Sequence, residues 1–329
     1  MSWNAVDSLD DARAATESLL LPPSWRTWLR LVVVTFFVGG VGGGGGAGQA
    51  AQGAVSSPSP PGTALHSLDL PPVPTLAPER VGALIVVIVA ITVVLALGYV
   101  VTGAVMEFVL VESLRTRQVD LRRPFRQFLV PGLRLFAFRT LVLLGLLASA
   151  AVPVALFIGP TPVAGAGWRV VLLPLLLAGV GAVWLVGVLV LRLTTDFVVP
   201  TMVGEGRTLL SAWRRFAPLC RAAWREVALY LVVRLVLGAA AAVVVGLAVG
   251  LGALVVAIPF ALVGGGVVAT VGVQGVGLVV LGVLAAGFTL LVAILSVVVQ
   301  VPVVTYFRYY GLALLGRLDE RLDFVGRSS

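Results

Sequence analysis

The chain has 329 residues, of which 59% are hydrophobic and 12% charged, and its mean hydropathy is +1.08. This composition excludes an ordinary soluble domain and indicates an integral membrane protein. The formal charge of +8 does not indicate nucleic acid, because the arginines flank apolar stretches and no nucleic-acid-binding motif accompanies them.

The first 30 residues are polar and lead into a weak, Gly-rich apolar stretch. They predict a cytoplasmic N-terminal segment over 1–30, with a short helix that ends near Leu21, before Pro22 and Pro23. The stretch 31–50 is the weakest candidate span because its apolar core soon gives way to glycines. A cleaved signal peptide is the alternative there, although the long acidic leader argues against it.

Five further stretches carry almost no ionisable side chains, and each is long enough to cross a bilayer. They lie near 83–105, 140–159, 170–191, 227–258 and 276–304. The first of them is preceded by a loop over 51–81 that is rich in Pro, Ser and Gly, with Arg80 as its only arginine. This composition is typical of a flexible linker, which we expect on the external side.

Arginines concentrate on alternate connections between these stretches. The connections 112–139 and 192–226 are strongly basic, whereas 159–168 has no charge. Because positively charged loops stay in the cytoplasm, this pattern orients the chain in the cell membrane with both termini inside. The membrane domain is then 31–318, and 319–329 is a cytoplasmic tail.

The apolar region 227–304 is long enough for three spans, and its only charge is Arg234. Three spans would export the arginines that follow residue 305, so we expect two long helices joined by an uncharged loop around 264–275. A re-entrant segment at 264–266 is an open alternative that would absorb the extra length.

Two parts of the chain resemble each other and predict an internal repeat. Residues 106–110 are similar to 195–199, and 125–128 are similar to 213–216. Each half would contain a span, an acid-Phe-Val exit, a basic amphipathic helix in the cytoplasmic interface and a re-entering span. Such repeats occur in transporters, and they also arise from duplication without transport.

The amphipathic character of the two connecting helices comes from apolar residues three and four positions apart. The second helix has Leu209, Trp213, Phe216, Cys220 and Trp224 on one face. The first helix has Phe125, Phe128, Leu129 and Phe136 in a similar spacing, and we expect Pro131 and Gly132 to break it.

Charges inside the predicted spans are the candidate functional residues. Glu107 and Arg234 lie at a similar depth near the cytoplasmic side, and their functional interpretation is an intramembrane ion pair that lines a proton or solute path. Asp196, Glu112 and Arg192 are further candidates for it. The alternative is a purely structural pair, with Arg234 reaching the lipid phosphates.

The sequence predicts no catalytic, cofactor or metal site. A single cysteine, Cys220, excludes an intrachain disulfide and a Cys-based metal site. His66, Ser67 and Asp69 lie in the external loop, where nothing fixes their geometry. The glycines of 42–46 do not form a phosphate-binding loop, because neither a strand nor a Gly-Lys-Ser/Thr motif flanks them.

Three short motifs carry a family resemblance. They are Phe-Phe-Val-Gly-Gly at 36–40, Asp-Phe-Val-Val-Pro at 196–200 with the Ala-Trp-Arg-Arg-Phe helix after it, and Phe-Arg-Tyr-Tyr at 307–310. The chain resembles a family of six-span haloarchaeal membrane proteins of unknown function. More distantly, it is similar to the membrane domain found with some glycerophosphodiester phosphodiesterases. The resemblance implies no activity and brings no catalytic residues.

Together these patterns predict an all-α polytopic membrane helix bundle of about six spans. We expect a non-enzymatic scaffold or accessory to membrane or envelope processes, in contact with the bilayer and with anionic lipid head groups at the cytoplasmic face. A transporter or channel that uses Glu107, Asp196 and Arg234 is the alternative, and a lipid-modifying enzyme is a third hypothesis. A homo-oligomer or a membrane partner protein stays open.

Overall fold

The computed structural model describes residues 4–21, 24–41, 78–116, 121–158 and 167–324, and these residues form helices and no strand. The all-α bundle is therefore confirmed. In chain order the elements are α1 (Asn4–Leu20), α2 (Trp25–Val41), α3 (Pro78–Thr116), α4 (Arg122–Gln127), α5 (Leu129–Ile158), α6 (Gly167–Leu193), a π-helix (Thr194–Val198), α7 (Val199–Glu205), α8 (Leu209–Ala222), α9 (Trp224–Thr270), α10 (Val276–Leu318) and a 3-10 turn (Glu320–Leu322).

Among the described residues, five helices are long and apolar enough to cross a membrane. They are α3, α5, α6, α9 and α10, and they contain the five strong predicted spans. Helix α2 has 17 residues and covers the start of the predicted first span. The rest of that stretch, 42–50, lies outside the described residues, so the count of six spans stays a prediction.

The predicted external loop 51–81 extends past the residue at which the next helix begins. Helix α3 begins at Pro78, inside that loop, and residues 51–77 lie outside the described part. Proline suits the first position of a helix because its fixed φ is already helical and its missing N–H has no partner there.

Buried side chains gather at one end of the bundle, which we call the packed core. It is built from 104–114 of α3, 194–203 of the π-helix and α7, and 308–316 of α10, with α1, α2 and α8 around them. In contrast, residues 82–98 of α3 are all exposed, including Leu84 and Val94. Apolar surface of this extent fits lipid rather than water.

The polar N-terminal segment belongs to this packed core. Helix α1 ends at Leu20, close to the predicted end at Leu21. Its Ala12 is fully buried, and Asp11 accepts a hydrogen bond of 2.7 Å from Arg317 of α10. The segment therefore packs against the membrane domain and does not form a separate polar unit.

The first connecting helix is broken, but at Phe128 rather than at Pro131 and Gly132. Pro131 has no N–H to donate to the carbonyl of Gln127, and its ring would crowd that carbonyl in a continuous helix. The chain therefore turns at Phe128, and Pro131 falls in the first turn of α5, where its N–H would have no helical partner.

Residues 227–304 form two helices, α9 and α10, joined at 271–275. The glycines of 264–266 lie inside α9, so the re-entrant alternative is wrong and the loop is shorter than predicted. Gly272 and Gly275 adopt positive φ of 82° and 53° in this turn. The uncharged stretch 235–270 is about 54 Å long, whereas the hydrocarbon core of a bilayer is about 30 Å thick.

Gly132 allows α5 to approach α3 closely. A Cβ at this position would lie 2.5 Å from Cγ2 of Val105 and 2.9 Å from its Cα, so backbone as well as side chain would have to move. Gly145, on the same helix, has no such neighbour within 4 Å.

We expect Gly132→Ala to lower the free energy of unfolding by about 1–3 kcal/mol through overpacking. The matched variant Gly145→Ala should leave it unchanged or slightly higher. SDS-induced unfolding of the purified protein in detergent, followed by tryptophan fluorescence, measures both. Equal stability of the two variants would contradict the close approach of α3 and α5.

Candidate functional site

The local structure of the site begins with Pro200. In a regular α-helix the ring of Pro200 would crowd the carbonyl of Asp196. The chain instead forms a π-helix, whose turn is wider, immediately before Pro200. The N–H of Val199 bonds to the carbonyl of Thr194. The π-type partner of the Thr195 carbonyl would be Pro200, which has no N–H.

The carbonyl of Thr195 is therefore left for a side chain. Arg308 of α10 donates to it from Nη1 at 2.8 Å. A π-turn of this kind often marks a functional or strained position in a helix. Here it binds the buried Arg308 and so joins α10 to the π-helix.

Two short ion pairs lie on either side of Arg308. Glu107 of α3 is 2.6 Å from Arg139 of α5, and Asp196 is 2.7 Å from Arg234 of α9. Arg308 is 3.7 Å from the Glu107 carboxylate and 3.9 Å from the Asp196 carboxylate. We call these five residues the charge cluster.

The charge cluster is almost completely enclosed by protein. The side chains of Glu107 and Asp196 are 0% and 1% exposed, and those of the three arginines are 7–15% exposed. Taking such charges out of water is costly, and the cost is offset only when the groups are paired and hydrogen-bonded. The arrangement stabilises the bundle only as a complete set.

Two neighbouring hydroxyl groups accept hydrogen bonds from arginines of the charge cluster. Arg139 donates to Oγ1 of Thr195 at 2.5 Å, and Arg234 donates to the hydroxyl of Tyr230 at 2.5 Å. Oε1 of Glu107 and both carboxylate oxygens of Asp196 are buried and make only ion-pair contacts, without hydrogen-bond geometry.

The structure brings together three of the five predicted charges. Glu107, Asp196 and Arg234 belong to the charge cluster, but Arg234 pairs with Asp196 and not with Glu107. Glu112 does not join them, because it lies one and a half turns further along α3 and contacts Arg115 at 3.6 Å. Arg192 is half-buried in the last turn of α6, next to the π-helix.

The sequence did not single out Arg139 and Arg308 as site residues. Both lie at the edges of predicted spans, where an arginine is expected for topology alone. A signal was present for Arg308: an uncharged run, 309–316, follows it on the same helix. An arginine between two apolar runs is costly to leave in lipid, and this favours a place inside packed protein.

Two stacked phenylalanine pairs lie next to the two carboxylates. Phe108, next to Glu107, stacks on Phe128 with ring centroids 5.7 Å apart. Phe197, next to Asp196, stacks on Phe216 of α8 with centroids 5.0 Å apart. Glu107-Phe108 therefore contacts the turn after α4 through Phe and α5 through Arg139, and Asp196-Phe197 contacts α8 through Phe and α9 through Arg234.

The apolar face of α8 is shorter than predicted. Leu209, Ala212 and Phe216 are buried, while Trp213 and Cys220 are half-buried. Trp224 does not belong to this face, because the helix ends at Ala222 and Trp224 begins α9, where it is 61% exposed.

The other residues that the sequence analysis considered for catalysis or ligand binding are His66, Ser67, Asp69 and the glycines of 42–46, and they lie outside the described residues. In the part of the chain that the structure describes, no group of three or more His, Cys, Asp and Glu side chains is placed to hold a metal ion.

The model of one protein family, described as a family of unknown function (DUF7544), matches residues 3–325. The chain belongs to the DUF7544 family. The match includes every residue of the charge cluster and all the long apolar helices of this DUF7544 chain. No curated protein and no solved structure matches it.

Replacing Glu107 by Gln should destabilise this DUF7544 protein by about 3–5 kcal/mol, because Arg139 and Arg308 would remain buried without their counter-charge. Glu112→Gln is the matched control on the same helix; its acid is partly exposed, so the expected loss is below about 1 kcal/mol. SDS unfolding in detergent measures both values. Similar small losses for the two variants would contradict an interdependent cluster.

The thiol of Cys220 offers a pH-dependent measurement outside the spans. Partial burial in α8 disfavours the thiolate and raises the pKa of Cys220 above its ordinary value. We therefore expect slow maleimide labelling near neutral pH that accelerates only at more alkaline pH. The control is Thr208→Cys in a Cys220→Ser background, an exposed thiol just before α8; an identical pH profile for both would show that Cys220 is not shielded.

Proposed function

We propose that this DUF7544 protein is a non-enzymatic scaffold or accessory component of the cell membrane, with both termini in the cytoplasm. One observation carries the proposal: the interior charges are paired with one another inside packed protein. Groups that act on a substrate or guide a solute need an open path to it, and the carboxylates of Glu107 and Asp196 are enclosed.

The position of the charge cluster supports a structural role for it. Its members come from α3, α5, the π-helix, α9 and α10. Each of these elements lies in a candidate span, because the span that starts in α6 at Leu172 continues through the π-helix to Glu205. The cluster fixes these helices to one another at one end. Beyond it, α3, α9 and α10 present exposed apolar side chains along most of their length, which are available to lipid or to another membrane protein.

The basic side chains support the orientation. Arg123, Arg126, Arg207 and Arg214 are exposed near the packed core, on the same side as both ends of the described chain. The positive-inside rule places this side in the cytoplasm, where these arginines face the anionic head groups of the inner leaflet.

The internal repeat is part of the same proposal. The pairs Glu107–Arg139 and Asp196–Arg234, together with the two stacked phenylalanine pairs, support a duplicated unit. In it, α4 and α8 are the equivalent amphipathic interfacial helices. A haloarchaeal origin and a distant likeness to the phosphodiesterase-associated membrane domain rest on the short sequence motifs.

One observation favours the alternative of a transporter or channel. Oε1 of Glu107 and Oδ1 of Asp196 have only the longer contacts of 3.7 and 3.9 Å with Arg308 and accept no hydrogen bond from a described residue, so they are able to accept a proton or a polar solute if water reaches them. Access of water to the charge cluster therefore separates the two functions.

We test this access with a thiol at Thr195, whose hydroxyl contacts Arg139. In a Cys220→Ser background, Thr195→Cys should not react with a membrane-impermeant maleimide until SDS unfolds the protein, because residue 195 is only 3% exposed. Thr208→Cys in the same background is the exposed control. It should react in inside-out vesicles and not in intact cells.

The outcomes are distinct. Labelling of Thr195→Cys in the folded protein at the rate of Thr208→Cys would show water at the charge cluster, overturn the scaffold proposal and favour transport. Labelling of Thr208→Cys in intact cells would overturn the orientation alone.

A further inference from the structure

A groove of about 550 Å³, open to the surroundings, lies between α3 and α4, and we call it the cavity. It is lined by Thr102, Met106, Leu121, Phe125 and Arg126. Its volume is within the range of small-molecule sites. Its wall is mostly apolar, and among the described residues that line it the charged one is Arg126.

The cavity lies where α3 leaves its lipid-exposed part and enters the packed core. Residues 82–98 are exposed, 101 and 102 are half-buried, and 103–111 are buried. Thr102 and Met106 are one helical turn apart and share a face of α3. An acyl chain lying along the exposed part of α3 would therefore reach the cavity without leaving apolar surface.

Arg126 gives this cavity a polar end. Its side chain is exposed on α4 and forms no ion pair or hydrogen bond with another of the described residues. Arg123, one turn earlier on the short helix α4, is also exposed. A guanidinium beside apolar walls matches a ligand that has an anionic phosphate at one end and hydrocarbon at the other.

We propose that this cavity binds a phospholipid with an anionic head group, with its phosphate at Arg126 and the start of an acyl chain against Thr102, Met106 and Phe125. This goes beyond the scaffold role, since it names one lipid site and the chemistry that it selects. A free phosphate would use Arg126 alone and would leave the apolar wall without an occupant.

The test uses the full chain purified in detergent and native mass spectrometry of its lipid complexes. Three probes separate the sources of affinity: phosphatidylglycerol, phosphatidylcholine with the same acyl chains, and inorganic phosphate. We expect retention of one phosphatidylglycerol, weaker retention of phosphatidylcholine and no competition by inorganic phosphate at comparable concentration.

Two pairs of variants test the two ends of the site. Arg126→Gln should weaken phosphatidylglycerol binding at least about tenfold, the loss expected for one charge-assisted hydrogen bond. Arg214→Gln, at the exposed arginine that corresponds to it in the second half, should have no effect. Thr102→Trp should fill the cavity and abolish binding with all charges intact, whereas Val94→Trp, on the exposed part of α3, should not.

Each contrary result overturns the proposal in a different way. Equal losses for Arg126→Gln and Arg214→Gln would mean non-specific attraction to a basic surface. Binding that survives Thr102→Trp and is displaced by inorganic phosphate would mean an anion site without an acyl-chain pocket. Neither result depends on whether Thr195→Cys is accessible, so failure here is separate from failure of the scaffold proposal.

Discussion

The structure depends on the neutralisation of two carboxylates that are removed from water. Glu107 and Asp196 lie in the interior of a helical bundle, where an unpaired charge would cost several kcal/mol, and three arginines from three different helices surround them. Because the arginines are equally costly when unpaired, α3, α5, the π-helix, α9 and α10 have to meet at one point. The packed core forms around that point.

This constraint also explains why the bundle is tight at one end and open at the other. Between apolar helices in lipid there is no hydrophobic driving force, so association relies on close packing and polar contacts. Both are present near the charge cluster, where Gly132 lies against Val105 and where the Phe108 and Phe197 rings stack on their partners. The exposed part of α3 has neither, and its surface is left to lipid.

The cavity and the charge cluster share a single turn of α3. Met106 lines the open cavity beside Arg126, and the next residue, Glu107, is enclosed in the charge cluster. Adjacent residues of a helix point about 100° apart, so one turn of α3 contributes both to the wall of the cavity and to the enclosed ion pair. A lipid in the cavity would thus contact the same helix that holds the cluster, without entering it.

The sequence by itself determined the all-α class, the five long apolar helices and the end of α1, because these follow from runs of apolar residues and from proline. It also pointed to Glu107, Asp196 and Arg234, since a charge within an apolar run is costly wherever the helix lies. Tertiary structure decided the pairing. Which acid meets which arginine, and that Arg139 and Arg308 join them, depends on how α5 and α10 cross α3 and on the carbonyl that Pro200 leaves free. Such contacts join residues far apart in the chain, and local patterns carry no information on them.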